Sequence, residues 1–308
     1  VVLFIVSLLV FLLTNLLGDP VDMLVPENAT LEQIESARAR LGLDKPLPVQ
    51  YGIFIRDVLH GNFGKSYIYG KPAMDLIFER MPATLELVAV AACLVLCIAI
   101  PLGVYAGAYP KRASSKLIMS GSILGISLPS FWVGMMMIYI FAVVLRLLPA
   151  SGRGNTVMVG NVALSIFAPG GIRYVILPAI TLALTNVATM LRLTRSGILE
   201  NMRQDYIKFA RAKGVPAKSI LFGHALKNAL IPVVTIFGMD LGNMIAFTTI
   251  TETIFAWPGM GKLLIDAINK SDRPIIVAYL MAAACMFVVL NFIVDILYTL
   301  IDPRIELR

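Results

Sequence analysis

The sequence predicts an all-α, polytopic membrane protein: six transmembrane helices, with a small helical extracytoplasmic segment after the first. Three observations carry this. Of 308 residues, 58% are hydrophobic and only 15% charged, whereas a soluble domain carries about 45–50% apolar and about 25% charged residues. The mean hydropathy of +0.83 agrees. The charged residues gather between long apolar runs rather than on one soluble face, so the net charge of +7 fits the positive-inside pattern and not a nucleic-acid surface.

A membrane-spanning helix needs about 20 predominantly apolar residues. The candidates, in order, are Val1–Leu17, Pro82–Tyr109, Leu117–Leu148 (interrupted by Pro129), Tyr174–Leu193, Ile231–Phe255 and Ile275–Ile301. The numbering opens inside an apolar run without Met or a basic flank, which reads as a sequence lacking its native start. No basic stretch and no small-x-small cleavage site frame that run, so it reads as a span rather than a cleaved signal peptide. Cys93, Cys97 and Cys285 all lie in apolar runs and read as small buried hydrophobes, not as metal ligands or a disulfide framework.

With both termini placed inside, the inner segments Pro110–Lys116, Arg192–Ala229 and Asp302–Arg308 hold 13 of the 26 basic residues and four of the 19 acidic ones. The outer segment Gly18–Met81 holds seven basic and nine acidic residues. The basic excess therefore favours cytoplasmic termini. The chain divides into a first helix, 1–17, an extracytoplasmic segment, 18–81, and a permeation domain, 82–308, with an inner loop over about 192–230.

In the outer segment, Thr30 followed by Gln33 reads as a capping box. Leu31, Ile34, Ala37 and Leu41 recur at helical spacing before the C-terminal stop at Gly42. A second helix fits Pro48–Leu59, closing near Gly61, and Pro72 starts a third. Ala150–Gly171 is rich in turn formers and reads as a loose loop.

The inner loop is too long for a turn and patterns as two short amphipathic helices. Ile198, Met202, Tyr206, Phe209 and Ala210 share a side of the first; Gly214 ends it, and Pro216 suits the first turn of the second. Ile220, Leu221, His224, Ala225 and Asn228 share a face of the second.

Here the sequence resembles a known family. Asp205-Tyr206, Ala210-Arg211-Ala212-Lys213-Gly214, His224-Ala225-Leu226-Lys227-Asn228-Ala229 and Pro232 resemble the coupling loop of ABC importer permeases, closest to the dipeptide, oligopeptide and nickel branch. Leu41-Gly42-Leu43-Asp44-Lys45-Pro46, Gly61-Asn62-Phe63-Gly64, Thr251-Glu252 with Phe255-Ala256-Trp257-Pro258-Gly259, and Asp302-Pro303-Arg304 resemble that branch in the same order. The resemblance implies an inner-membrane subunit of a bacterial importer. Its partners would be a second homologous permease, two ATP-binding cassette subunits, an extracytoplasmic solute-binding protein and the lipid bilayer, with no nucleic acid. It implies coupling to the ATPase through Asp205, Tyr206, Ala210, Arg211, Ala212, Lys213, Gly214, His224 and Asn228. It implies no catalytic site and no cofactor in this chain, ATP and magnesium being bound by the partners.

Two fragments look like ATP-binding loops and fail. Gly64-Lys65-Ser66 has Leu59 where the upstream glycine belongs; Gly261-Lys262 has Ala256 upstream and Leu263 in place of Ser or Thr. His60 and His224 lie far apart in the predicted topology, so no His-based pair forms.

Carboxylates inside spans are costly and face a cavity or a partner. Asp240, Asn243, Thr248, Glu252 and Asp295 are the candidate lining of a translocation path. For Asp240, a hydrogen-bonded strut between helices is an equal reading; for Asp295 and Glu86 the strut is favoured; Glu252 falls near the outer mouth. Gly238 and Gly242 have the small-xxx-small spacing of close helix packing. A small peptide is the expected cargo, with nickel or a metal chelate as the alternative. A reading from a different class is an ion-coupled secondary transporter using Asp240 or Asp295 as a proton site. Such carriers usually show internal repeats, and none is evident.

Overall fold

The computed structural model describes residues 2–16 and 30–301, without the side chains of residues 14–16, 37, 40, 41, 295 and 297–301. Asp302-Pro303-Arg304 and the side chain of Asp295 therefore lie outside the described residues. The chain divides into two compact units. The first comprises Val1–Pro82 and Pro258–Val288, the second Ala83–Trp257 and Val289–Arg308.

In the first unit, α1 (Val2–Leu16) is followed by α2 (Leu31–Leu41) and α3 (Leu47–Leu59). The capping box forms: the Gln33 amide donates to Thr30 Oγ1 at 3.4 Å, and the Thr30 amide donates to Gln33 Oε1 at 3.1 Å. Gly42 closes α2 at φ +68°, a left-handed conformation that costs glycine nothing. Helix α3 begins one residue before its expected start, behind Pro46. Tyr51 and Phe54 of α3 pack their rings against Phe11 of α1, and the Tyr51 hydroxyl lies 2.9 Å from Ser7 Oγ. The core of this unit joins Leu76 and Ile77, at the start of α4 (Ala73–Ala108), to Met260 and Leu263 of α10 (Met260–Asn269) and to Ile275 and Tyr279 of α11 (Arg273–Ile301). The fully buried Asp272 carboxylate organises the turn after α3, accepting the Ser66 hydroxyl at 2.5 Å and the Tyr67 amide at 3.2 Å. Burial of the nearby Tyr67 raises its phenol above the ordinary pKa.

The helix expected to start at Pro72 and the second expected span are one element. Helix α4 runs 36 residues and accommodates Pro82 and Pro101 without ending. The third expected span is broken. Helix α5 (Ala113–Ser127) and the stretch Ser130–Val144 diverge by 105°. Pro129 supplies no N–H and forces Leu128 out of the helical region, to φ −90° and ψ 131°. The second limb starts as α6 (Ser130–Met137) and relaxes into a π-helical stretch, Ile138–Val144. Among the described residues, four helices are long and apolar enough to cross a membrane; the bent pair makes a fifth if it counts as one span, and Val2–Leu13 is apolar but shorter.

The loop expected to be loose is ordered. Val157–Val159 (β1) pairs antiparallel with Val162–Leu164 (β2) in a hairpin that the all-α expectation omitted. A buried carboxylate holds it. Glu86 of α4, 5% exposed, accepts the Ser165 and Ile166 amides at 2.6 and 2.7 Å and pairs with Arg153.

The second unit is built on α7 (Ile172–Asn201) and α9 (Leu226–Ile254). Glycines set how closely helices approach. A Cβ built at Gly103 of α4 would stand 2.6 Å from Thr194 Cβ and 2.8 Å from the Leu191 carbonyl. At Gly107 it would stand 2.7 Å from Ile198 Cβ, and at Gly238 of α9, 2.3 Å from Val294 of α11. The last observation fits the expected small-residue packing along α9.

Candidate functional site

The loop after the fourth span folds differently from two free-standing helices. Helix α7 extends through Ile198 to Asn201, two turns past the expected end of its span. A tight turn at Met202–Gln204 leads to α8 (Asp205–Ala212). The second expected loop helix is the start of the next span: Ala217–Ser219 and a π-helical stretch, Ile220–Ala225, run without a break into α9, making Ala217–Ile254 one 38-residue helix. Pro216 at its N-terminus, with φ −58°, takes the position where a missing N–H costs nothing.

The result is a rigid elbow. Ile198, Ile207, Ile220, Ala225 and Ala229, with Val104 of α4, form its buried apolar floor. Fully burying one such Ile is worth about 1.5–3 kcal/mol, so this floor, rather than the propensity of an eight-residue helix, keeps α8 folded. Gly197 lets α7 and α9 meet: its Cβ position is 3.0 Å from Ala229 Cβ.

Of the residues expected to couple, Asp205, Tyr206, Arg211, Ala212, Lys213, Gly214, His224 and Asn228 are exposed, and Ala210 is half-buried against the apolar floor. Gly214 adopts φ +79°, and its amide donates to the Arg211 carbonyl at 2.9 Å, closing α8. Lys208 Nζ pairs with Asp205 Oδ1 at 2.8 Å; that hydrogen bond, reinforced by the ammonium charge, holds the Asp205 carboxyl below the usual carboxylate range. Arg211, Lys213, Lys218 and Lys227 give the exposed rim a positive field. Phe209 and Phe222 project from it, 62% and 58% exposed, and Lys213 Nζ sits 4.5 Å above the Phe209 ring. Phe222 and Asn201 belong to the elbow without having been singled out in the sequence. Asn201 sits five residues before Tyr206, a spacing that carries no helical signal once the helix breaks between them.

The expected path residues fall into two environments. On α9, Asn243 is exposed and Asp240 half-buried one turn earlier. Thr248 is fully buried and donates to the Ile245 carbonyl of its own helix at 2.5 Å. Glu252 is fully buried and accepts the Thr84 hydroxyl at 2.6 Å. Next to it, Trp257 donates its indole N–H to the Ala83 carbonyl at 2.9 Å.

Comparison with known proteins agrees with this architecture. Residues 99–307 match the family described as binding-protein-dependent transport system inner membrane component, and residues 1–88 match the N-terminal region of such membrane components. The chain is 37% identical to a probable D,D-dipeptide transport system permease protein of Escherichia coli, over 97% of this chain and 92% of that protein. It is 39% identical to a di/tripeptide transport system permease protein of Pseudomonas aeruginosa, over 98% and 94%. It is 38% identical to an oligopeptide transport system permease protein of Bacillus subtilis, over 94% and 90%. Among solved structures, the inward-facing MetNI methionine ABC transporter shares the fold, with a TM-score of 0.57 over 74% of this chain and 97% of that one, at 16% identity. The chain therefore belongs to the family of binding-protein-dependent transport system inner membrane components, the membrane-spanning permease subunits of ABC importers.

Proposed function

We propose that this chain forms half of the translocation path of an ATP-driven importer of small peptides. A second, similar permease supplies the other half, two ATPase subunits bind ATP and magnesium, and a solute-binding protein delivers the peptide. The observation that carries the cargo assignment is the similarity, at 37–39% identity over nearly the whole chain, to permeases named for dipeptides, di/tripeptides and oligopeptides.

The elbow is the coupling element in this reading. Its apolar floor keeps the end of α7, α8 and the start of α9 together, while a positively charged rim with two exposed phenylalanines faces outward. Such a surface suits a groove on an ATPase: apolar knobs anchor it, and charge sets its orientation. ATP-driven movement of that groove becomes a push on two spans at once, because Ala217–Ile254 is a continuous lever. Both termini and the elbow are cytoplasmic, and the α2–α3 segment is extracytoplasmic, in keeping with the distribution of Lys and Arg. Asp240 and Asn243 line the hydrated path; Thr248 and Glu252, satisfied inside the bundle, serve as struts. Asp295, in the last apolar run, belongs to the same path.

The test is reconstitution of the four-part membrane complex with its binding protein in proteoliposomes. Uptake of labelled dialanine that requires ATP and stops when the partner ATPases lose their hydrolytic carboxylate is the expected result. Uptake that survives ATPase inactivation would establish an ion-coupled carrier instead. ATP-driven uptake of a nickel chelate, without peptide uptake, would reassign the cargo.

A further inference from the structure

Three polar side chains lie outside the apolar floor of the elbow and connect all three of its helices. Tyr206, the second residue of α8, donates its phenolic hydrogen to Asn201 Oδ1 at 2.7 Å. Asn228, near the start of α9, donates through Nδ2 to the same phenolic oxygen at 3.0 Å. Asn201, the last residue of α7, donates its own Nδ2 to the Gly197 carbonyl at 2.9 Å, which orients its amide so that Oδ1 faces Tyr206. One hydroxyl thus acts as donor toward α7 and acceptor toward α9.

We propose that Asn201 is a positioning residue: with Tyr206 and Asn228 it forms a three-helix clamp that fixes the angle of the coupling helix against both spans. The proposal deepens the coupling reading above and rests on it. The apolar floor, with Ile207 beside Ile198 and Ile220, sets the spacing of the helices but is non-directional, so it does not by itself fix the roll of α8. The clamp is directional and stops that roll. Its members lie at the surface, so each bond contributes modestly. That suits a part that transmits force and need not hold the fold. Asn201 is the last residue of α7 and reaches α8 through the Tyr206 hydroxyl, so its effect on transport passes through α8.

The experiment uses the assembled transporter and reads labelled dialanine moved per ATP hydrolysed. Asn201→Leu, which keeps the branched shape and removes both polar atoms, lowers that ratio about threefold to tenfold, the range expected from losing one net hydrogen bond. Asn201→Asp keeps the Oδ1 acceptor and restores most of the ratio. Tyr206→Phe lowers it at least as far, since it also removes the bond from Asn228, and the double variant Asn201→Leu with Tyr206→Phe is no worse than Tyr206→Phe alone, because the bond between the two residues is already lost there. A normal ratio in Asn201→Leu, no rescue by Asp, or a double variant equal to the product of the singles would each overturn the clamp. Amide exchange over residues 205–212 in the detergent-solubilised chain alone gives a second readout. Exchange speeds up in Asn201→Leu and recovers in Asn201→Asp; unchanged exchange in Asn201→Leu overturns the clamp. If the wild-type chain fails to retain the ATPases, the coupling reading falls, and the exchange measurement still decides the clamp.

Discussion

Arg153 donates to Glu86 Oε2 twice, from Nε at 2.9 Å and from Nη2 at 2.5 Å, and its Nη2 also reaches the Ala163 carbonyl at 2.6 Å. The pair is almost wholly buried, with side-chain exposures of 11% and 2%. It joins α4 to the β1–β2 hairpin, and the Arg153 guanidinium lies 5.6 Å from the Trp257 ring. A buried ion pair adds little to stability compared with an apolar substitute, but removing one partner leaves the other charged and unpaired, a loss of about 3–5 kcal/mol.

That asymmetry gives the first prediction. Glu86→Ala lowers the thermal midpoint of the detergent-solubilised chain sharply and opens residues 150–171 to limited proteolysis. The double variant Glu86→Met with Arg153→Met recovers part of the midpoint, since no lone charge remains, but not all of it, because the Ser165 and Ile166 amides still lack their acceptor. Proteolysis of the hairpin at the wild-type rate in Glu86→Ala would show that the carboxylate does not hold it.

The second prediction contrasts two glycines. Gly103→Ala places a methyl carbon 2.6 Å from Thr194 Cβ and 2.8 Å from the Leu191 carbonyl, a backbone atom that cannot step aside. Helices α4 and α7 must separate, at a cost of about 1–3 kcal/mol for overpacking. At Gly121 of α5 a Cβ meets nothing within 4 Å, so Gly121→Ala is neutral or stabilising by up to about 1 kcal/mol of helix propensity. Thermal denaturation of the two variants side by side separates them; equal midpoints would refute the close crossing.

What the sequence made legible was local. The Thr30 capping box, the Gly42 stop, the Gly214 turn and the apolar runs each rest on residues a few positions apart, where propensity and periodicity act. The hairpin did not show, because the group that orders it, Glu86, lies 79 residues from Ser165; composition read the segment as turn formers without a partner. Pro129 announced a break, but the 105° between the two limbs depends on packing around it. The boundary between loop and fifth span was missed for a related reason. Hydropathy falls at Lys227 and Asn228 while the backbone stays helical from Ala217, since exposed polar residues are no obstacle to a helix outside the lipid. Glu252 reads as near the outer mouth from its position at the end of a span; its full burial and the Thr84 hydroxyl, 168 residues away, show the side chain enclosed.

The third prediction concerns pH at the elbow. Asp205 opens α8, where a carboxylate also favours the helix dipole, and Lys208 holds its pKa below the ordinary value. A depressed folded-state pKa means the contribution is complete above the unfolded value of about 3.9 and is lost as pH falls through the folded value below that. Amide exchange of α8, corrected for its intrinsic pH dependence, is therefore flat from neutral to mildly acidic pH. Protection declines only at more acidic pH, and Asp205→Asn abolishes that decline. A loss of protection centred near neutral pH would assign the effect to another group.

The fourth prediction turns on Gly214, whose φ of +79° and open surroundings separate two kinds of damage. A Cβ at this exposed position meets nothing within 4 Å, so the first carbon of a side chain does not clash inside the chain. What a larger residue does carry is the left-handed backbone penalty, about 1–2 kcal/mol for most residues and less for Asn. Gly214→Asn therefore keeps most ATP-driven uptake, and Gly214→Ala loses a modest part of it. Gly214→Glu bears a penalty like that of Ala and adds a long acidic side chain to a rim carrying Arg211 and Lys213. If that rim seats against an ATPase, Glu abolishes uptake while the chain reaches the membrane at normal levels, and the gap between Ala and Glu measures the interface rather than the turn. If Ala and Glu fall together, only the turn matters there; if Glu transports normally, α8 is not the surface through which the ATPase drives the spans.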